Sequence, residues 1–224
     1  MQIVSGPIGR EKVHFEAPPR ERLDEEMELF LQWWDSSRDS MDGILRAASA
    51  HLRFVTVHPY EDGNGRLARA LTDMALAQDE KLKVRFYSIS SEIMRIRNEY
   101  YNILEDVQRN KLDLTQWYLW FIQCVTAAIK HSQDIIANVF ARVDFWNQHA
   151  QISLNERQKK VINCILEAGQ GNFTGGLTTR KYVSIAKVSR ATAFREISDM
   201  VSKKILRKLS GKGRSVHYDL VWPK

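Results

Sequence analysis

Apolar residues recur every three or four positions along most of the first two thirds of the chain, which is the spacing of one face of an α-helix. Leu23, Met27 and Phe30 share such a face, and acidic residues occupy the other side. The fold class that this pattern indicates is mainly α. It predicts amphipathic helices at residues 20–35, 41–56, 64–78, 90–109 and 114–146, the last region as one or two long helices.

The first residues follow a different pattern. Between residues 3 and 19, short β-compatible runs flank Gly6-Pro7 and Gly9, and the segment ends in the helix-excluding pair Pro18-Pro19. Glycine and proline between two extended runs are typical of a β-hairpin. We therefore predict a hairpin at about residues 3–17.

The final third changes to shorter elements. The pattern predicts three helices and then two strands, at residues 154–167, 178–186, 189–203, 205–209 and 215–221. In the third helix, Phe194, Ile197 and Val201 are expected to face the core. This order resembles a winged helix, so we predict a small α+β winged-helix domain at residues 152–224.

Charge is unevenly distributed between the two parts. Residues 151–224 hold 15 Lys and Arg against 5 Asp and Glu, a net of +10, whereas residues 1–150 hold 18 against 22, a net of −4, which together give the +6 of the chain. This asymmetry indicates two domains with different partners.

Composition excludes several classes of protein. With 224 residues and 44% hydrophobic content the chain can form ordinary cores, and no apolar run approaches the roughly 20 residues of a membrane span. Since Met1–Arg10 lack a signal-peptide pattern, we expect a cytoplasmic protein without a membrane partner. Cys124 and Cys164 lack metal-ligand spacing and are interpreted as small buried hydrophobic residues.

The densest chemistry lies between His58 and Arg69, in the sequence HPYEDGNGRLAR. Pro59 and the two glycines predict a loop, after which a helix begins at about Asn64. The free N–H groups and the dipole at a helix N-terminus favour an anion such as phosphate. A phosphate-binding loop is therefore expected here.

The stretch resembles the signature of the Fic family, His-Pro-Phe-x-Asp-Gly-Asn-Gly-Arg-x-x-Arg, with Tyr60 in place of Phe as its one departure. The resemblance implies a helical Fic core with a β-hairpin flap at residues 1–147. It also implies a protein adenylyltransferase, which transfers AMP from ATP to a Ser, Thr or Tyr hydroxyl of a target protein and releases pyrophosphate. ATP and Mg²⁺ are the expected substrate and cofactor.

Each signature position implies a role in this reaction. His58 is the expected general base near neutral pH, and Asp62 is expected to hold Mg²⁺. The expected phosphate ligands are backbone N–H groups, one side-chain amide and two guanidinium groups, from Gly63, Asn64, Gly65, Arg66 and Arg69. The amide is the side chain of Asn64.

The resemblance extends the nucleotide site beyond the signature. Flap residues before the proline pair are expected to reach the nucleotide, namely Val13, His14, Phe15 and Glu16. Tyr100 and Tyr101 resemble the family's tyrosine element beside the adenine and ribose, and Gln108 falls where the family often has an amide. The open edge of the flap is expected to pair with the target protein.

Six basic residues of the final third fall on the third helix and the wing, namely Arg190, Arg195, Lys203, Lys204, Lys212 and Arg214. These are the surfaces that meet DNA in a winged helix. DNA is therefore one expected partner. The alternative is a basic surface used for homodimerisation or for contact with another protein.

Two other functions stay open: a DNA-binding regulator whose Fic domain is a sensor, and a hydrolase that removes AMP. The retained Gly65 and Arg69 favour AMP transfer, because relatives that transfer a phosphate depart from the pattern in this loop. The family's inhibitory pattern, Ser/Thr-x-x-x-Glu-Gly/Asn, does not occur in the sequence. We therefore expect that an upstream segment has been lost or that another polypeptide restrains the protein, and that Arg69 is free to take the γ-phosphate.

Overall fold

The computed structural model describes residues 2–5, 12–81, 84–109, 113–209 and 216–222. The chain divides into two compact units, Met1–Ser132 and Gln133–Lys224. This division lies earlier than the boundary predicted between residues 147 and 152. The physical reason is visible at Phe145, which is fully buried in the core of the second unit.

The first unit consists of a hairpin followed by helices: β1 Gln2–Ser5, β2 Lys12–Glu16, α1 Arg20–Ser36, α2 Gly43–Val57, α3 Asn64–Glu80, α4 Ile89–Arg95, α5 Arg97–Arg109 and α6 Thr115–Gln148, whose last part belongs to the second unit. The predicted hairpin is confirmed, because β1 and β2 pair antiparallel with Gln2 opposite Glu16. The prediction of one helix at residues 90–109 was wrong. Ile96 leaves the helical conformation (φ −108°, ψ 35°) and separates α4 from α5.

Helix α2 lies in the core of the first unit and delivers the chain to His58. Asp42 caps its start by accepting hydrogen bonds from two backbone N–H groups of the first turn. Ala47 and Ala48 are fully or almost fully buried, and such small side chains let neighbouring helices approach closely. Trp117 of α6 is fully buried and donates its indole N–H to the carbonyl of Ala48 (2.9 Å). The end of α2 is therefore held by the core.

In the second unit, the C-terminal part of α6 is followed by α7 Glu156–Ala168, α8 Thr179–Ala186, α9 Arg190–Ser202, β3 Leu206–Lys208 and β4 Tyr218–Leu220. The predicted order of three helices and two strands is confirmed. The strands pair antiparallel, and Leu177 forms a further bridge with Tyr218 through backbone hydrogen bonds of 2.7 and 2.8 Å.

One inward position of α9 was predicted wrongly. Phe194 is 62% exposed, whereas Ala193 and Ile197 are buried. Ala193, Ile197 and Met200 recur with helical spacing and form the inward face, so Phe194 lies about 100° away from it. No helix within the described ranges is long and apolar enough to cross a membrane.

Candidate active site

The geometry of His58 is set where α2 ends. His58 adopts the left-handed conformation (φ 52°, ψ 57°), and its backbone N–H donates to the carbonyl of Phe54 (3.0 Å). This conformation is uncommon for a residue other than glycine, and such outliers cluster at functional sites. The ring atom Nδ1 lies 3.2 Å from the carbonyl oxygen of Val55. Because a carbonyl oxygen only accepts, this contact places the proton of the neutral ring on Nδ1 and leaves Nε2 with a lone pair.

The loop after His58 is closed by the buried side chain of Asn64, which is 3% exposed. Its Oδ1 accepts from the backbone N–H of Tyr60 (3.1 Å), and its Nδ2 donates to the carbonyl of Tyr60 (2.5 Å). These two bonds fix the loop against the start of α3. The predicted contact of the Asn64 amide with a phosphate is therefore corrected: the amide holds the loop, and the backbone N–H of Asn64 remains available.

Helix α3 begins at Asn64, as predicted, with Gly63 as its N-cap in the left-handed region (φ 90°). Glycine adopts this conformation without the steric cost that a side chain brings. The N–H of Gly63 donates to Oδ1 of Asp62 (2.6 Å). The N–H groups of Asn64 and Gly65 have no acceptor among the described residues. The helix therefore starts with free donors, which is the condition for an anion site.

Two guanidinium groups lie beside this helix start. A Cβ added to Gly63 would lie 3.7 Å from Nη2 of Arg66, and one added to Gly65 would lie 3.6 Å from Nη1 of Arg69. Arg66 also pairs with Oδ2 of Asp62 (2.9 Å), and both side chains are largely exposed. Arg69 has no carboxylate partner within the part of the chain that the structure describes. The two positive charges predicted from the signature, those of Arg66 and Arg69, thus lie beside the start of α3.

Behind the loop, a buried hydrogen-bonded chain joins α2, α3 and α5. His51 is fully buried; its Nδ1 lies 2.9 Å from Oγ1 of Thr72 and its Nε2 lies 2.9 Å from the hydroxyl of Tyr100. Thr72 donates its own hydroxyl to the carbonyl of Ala68 (2.9 Å), so it accepts from Nδ1, and Tyr100 donates to Nε2. Burial, with a smaller effect of the Arg69 charge, lowers the pKa of His51 to about 3. His51 is therefore a neutral packing residue.

The hydrogen bond between Tyr100 and His51 revises the prediction that Tyr100 contacts the nucleotide. This side chain is 4% exposed, its hydroxyl is bound to His51, and burial raises its pKa. A buried and bonded hydroxyl supports the core, so we withdraw the direct nucleotide contact. Tyr101 is 51% exposed, with the guanidinium of Arg97 5.4 Å from its ring centre. A nucleotide contact of Tyr101 stays a prediction.

Three of the residues predicted outside the signature meet at a hollow of about 620 Å³ in the first unit. Phe15 and Glu16 at the end of β2 line it together with Gln108 of α5. The amide of Gln108 donates to the hydroxyl of Thr56 (3.2 Å), two residues before His58. The backbone of Val13 and His14 lies in β2, but their side chains are outside the described part. The structure thus brings flap and Gln108 together, beside and not within the loop at residues 58–69.

The predicted DNA-binding residues of the second unit separate into three groups. Arg190, Arg195 and Lys204 are exposed. Lys203 binds Oδ2 of Asp199 (2.7 Å) and the carbonyl of Ser153 (2.9 Å), so its ammonium group is already engaged, and we remove it from the set. The remaining two residues, Lys212 and Arg214, lie outside the described residues.

Comparison with known proteins finds a family that the signature segment resembles. Residues 3–76 match the model of the Fic/DOC family. A uridine 5'-monophosphate transferase from Xanthomonas campestris pv. campestris (strain 8004) is 43% identical over 65 residues, 26% of this chain and 12% of that protein. Protein adenylyltransferase fic-1 from Caenorhabditis briggsae is 45% identical over 53 residues, 23% and 10% of the two chains.

A longer match is to protein adenylyltransferase Fic from Nematostella vectensis, 30% identical over 115 residues, 50% of this chain and 25% of that protein. The chain thus spans a quarter or less of the length of these relatives. A crystal structure of a Fic family protein from Desulfovibrio desulfuricans G20 aligns with 95% of this chain and 59% of that one, with 18% identity and a TM-score of 0.48. The family model and the relatives together thus show that residues 3–76 of the chain are similar to the Fic/DOC family.

Proposed function

We propose that the chain is a protein adenylyltransferase, which moves AMP from ATP to a Ser, Thr or Tyr hydroxyl of a target protein and releases pyrophosphate. The observation that carries this proposal is the pairing of an oriented histidine with an anion site. The Nδ1 contact of His58 with Val55 leaves Nε2 as the base, and α3 begins six residues later with free N–H groups. Two of the similar proteins are named protein adenylyltransferases, which supports the same reaction.

The proposed step begins at the acceptor hydroxyl. Nε2 of His58 takes the hydroxyl proton as the oxygen attacks the α-phosphorus. The new oxygen–phosphorus bond forms as the bond between the α-phosphorus and the bridging oxygen to the β-phosphate breaks, and that oxygen leaves with pyrophosphate. The bond from Nδ1 to the carbonyl of Val55 holds the ring in the tautomer that can accept this proton.

The start of α3 then receives the phosphates. The N–H groups of Asn64 and Gly65 are free, and the N–H of Gly63 and the guanidinium of Arg66 are held by Asp62. Exposed ion pairs of this kind are weak, so a polyphosphate can displace them. Arg66 and Arg69 would then stabilise the charge that develops on the leaving pyrophosphate.

Among the residues of the loop, the carboxylate of Asp62 is the group that could hold Mg²⁺. The described residues contain no group of three or more His, Cys, Asp or Glu side chains that could hold a metal. Mg²⁺ is often held by one carboxylate together with substrate phosphates and water, and the exposed carboxylate of Asp62 stands beside the anion site. When bound there, the ion would neutralise charge on the phosphates.

The choice of nucleotide is the finer part of the proposal. We favour ATP, while one similar protein is named a uridine 5'-monophosphate transferase. Phe15, Glu16 and Gln108, with the exposed Tyr101, are the proposed contacts to the base and ribose. The target protein would bind along the edge of the β1–β2 hairpin through main-chain hydrogen bonds.

Labelled nucleotides test the proposal. The chain is incubated with Mg²⁺, a cell lysate and ATP labelled either at the α-phosphate or at the γ-phosphate. If the chain transfers AMP, the target protein should carry the α-label and not the γ-label. Unlabelled ATP should also reduce this labelling more than unlabelled UTP does. Incorporation of the γ-label would identify phosphoryl transfer, and preferential competition by UTP would identify UMP transfer; either result overturns the proposal as stated.

For the second unit we propose a winged-helix domain that binds DNA. The order of helices and strands, with the bridge of Leu177 to Tyr218 of β4, supports the fold. Arg190 and Arg195 are exposed on α9, the third helix of the predicted winged helix, on either side of the exposed Phe194. Binding of the intact protein to a duplex, measured at several salt concentrations, tests this proposal. Absence of salt-sensitive binding would contradict it.

A further inference from the structure

Helix α6 exposes a wide apolar face in its second-unit part. Five large apolar residues on this face expose between 36% and 63% of their surface, and they are Ile135, Ile136, Val139, Phe140 and Val143. We call this set the α6 stripe. Contiguous apolar surface of this kind on a protein marks an interaction site.

We propose that the α6 stripe binds the α6 stripe of a second copy of the chain. The spacing of the helix points to helix pairing. In the stripe, Ile136, Phe140 and Val143 stand at i, i+4 and i+7, and each of them is 36–63% exposed. Apolar positions spaced by four and then three residues form the seam of a coiled coil, and β-branched residues in such a seam favour two strands.

The surface of α6 also has the shape that such pairing requires. A hollow of about 460 Å³ is lined by α6 residues alone, at Val139, Arg142, Val143, Trp146 and Asn147. The first four stand at i, i+3, i+4 and i+7, which is the arrangement of a hole in a coiled coil, filled by one side chain of the facing helix. Phe140, the most exposed residue of the stripe, supplies such a side chain. The same short segment thus presents both halves of a symmetric contact.

Charge separates this occupant from a nucleic acid and this surface from the basic part of the chain. The segment Gln133–Gln148 holds only Asp134, Arg142 and Asp144, so it is nearly neutral, whereas residues 151–224 carry a net of +10. A nucleic acid would favour the basic part, and two copies that met through that part would repel each other. The stripe is small against the roughly 800 Å² per partner of a standard interface, so we expect a reversible dimer.

The mass of the full chain, measured by sedimentation across a concentration series, tests the proposal. Wild-type chain should rise from the monomer mass of 26.0 kDa towards twice that value in the micromolar range. The double variant Phe140→Glu/Val143→Glu should stay monomeric with an unchanged far-UV circular dichroism spectrum. Asp134→Lys, which lies on the opposite side of α6 from Val143, should leave the dimer intact.

Crosslinking keeps the test independent of how well the double variant folds. Val139 lies at the centre of the stripe, so in a symmetric pair that is centred on the stripe Val139→Cys should form a disulfide-linked dimer under mild oxidation. Asp134→Cys is the matched control on the far side of α6, and the wild type reports any background from Cys124 and Cys164. A wild-type chain that stays monomeric overturns the proposal. Dimerisation that is unaffected by the double variant, or equal crosslinking of the two cysteine variants, also overturns it.

Discussion

His51 gives the first unit a pH-dependent stability whose size follows from the structure. Its pKa is about 3 in the folded chain, against an ordinary value of 6.5, because burial opposes its protonation and the Arg69 charge adds to the effect. Between these two values the unfolded chain binds a proton that the folded chain does not. Stability therefore rises with pH through this window, and acidification weakens the fold. From about pH 7.5 to about pH 5.0 the residue should remove about 2 kcal/mol.

Native-state hydrogen exchange on α2 and α3 measures this effect in the first unit alone. The wild type is compared with His51→Gln, which keeps a polar side chain that does not titrate. The free energy of opening should fall by about 2 kcal/mol more in the wild type than in the variant over that pH range. Other titrating groups contribute equally to both proteins and cancel in the difference.

An equal loss in both proteins would refute this account of His51. It would mean that the folded chain accepts the proton as readily as the unfolded chain, so that His51 is not sealed between Thr72 and Tyr100. The neutral hydrogen-bonded chain behind the phosphate loop would then be wrong, and with it the withdrawal of Tyr100 from the nucleotide site.

Three further predictions test the site and the second unit. Asn64→Ala leaves both backbone groups of Tyr60 without a partner, so it should cost about 1–3 kcal/mol of stability and reduce transfer. Glu61→Ala, at an exposed neighbouring position, should change neither, and a fully active Asn64→Ala protein would contradict the role of Asn64 in closing the loop. Removing Arg190 and Arg195 together should weaken duplex binding and lower the slope of log affinity against log salt concentration by about 2. Lys203→Ala should leave this slope unchanged, because Lys203 is already paired. Equal slopes for the wild type and both variants would count against DNA contact through α9. Gln108→Ala should raise the KM for ATP more than it changes kcat, and an unchanged KM in steady-state transfer assays would remove Gln108 from the nucleotide site.

The sequence predicted the elements of the site well, because its signature combines local signals. Pro59 and the glycines predict a loop, and the apolar spacing after Asn64 predicts the helix that begins there. What the sequence could not show is the use of each group. The contact of His58 with Val55 depends on a left-handed turn at the end of α2, and the Asn64 amide could bind a phosphate or close the loop with equal chemical sense.

Longer-range features were also beyond sequence reasoning. His51 and Tyr100 are 49 residues apart in the chain, and only the packing of α2 against α5 makes them partners. Phe194 lies one position from the inward face of α9, so an error of one residue in the predicted helical phase placed it in the core, whereas it lies at the surface. Lys203 was predicted to contact DNA, because the sequence does not show that its ammonium group pairs with Asp199.

The central claim is that Nε2 of His58 is the base for nucleotidyl transfer, and one pair of measurements on His58→Ala tests it most directly. Transfer of α-label from ATP should fall by a factor on the order of 100 or more, while ATP affinity, measured by calorimetry with Mg²⁺, should stay close to that of the wild type. Tyr60→Phe, which restores the residue of the family signature at an exposed side chain, is the matched control and should keep full activity. A His58→Ala protein that labels its target at the wild-type rate would contradict the account.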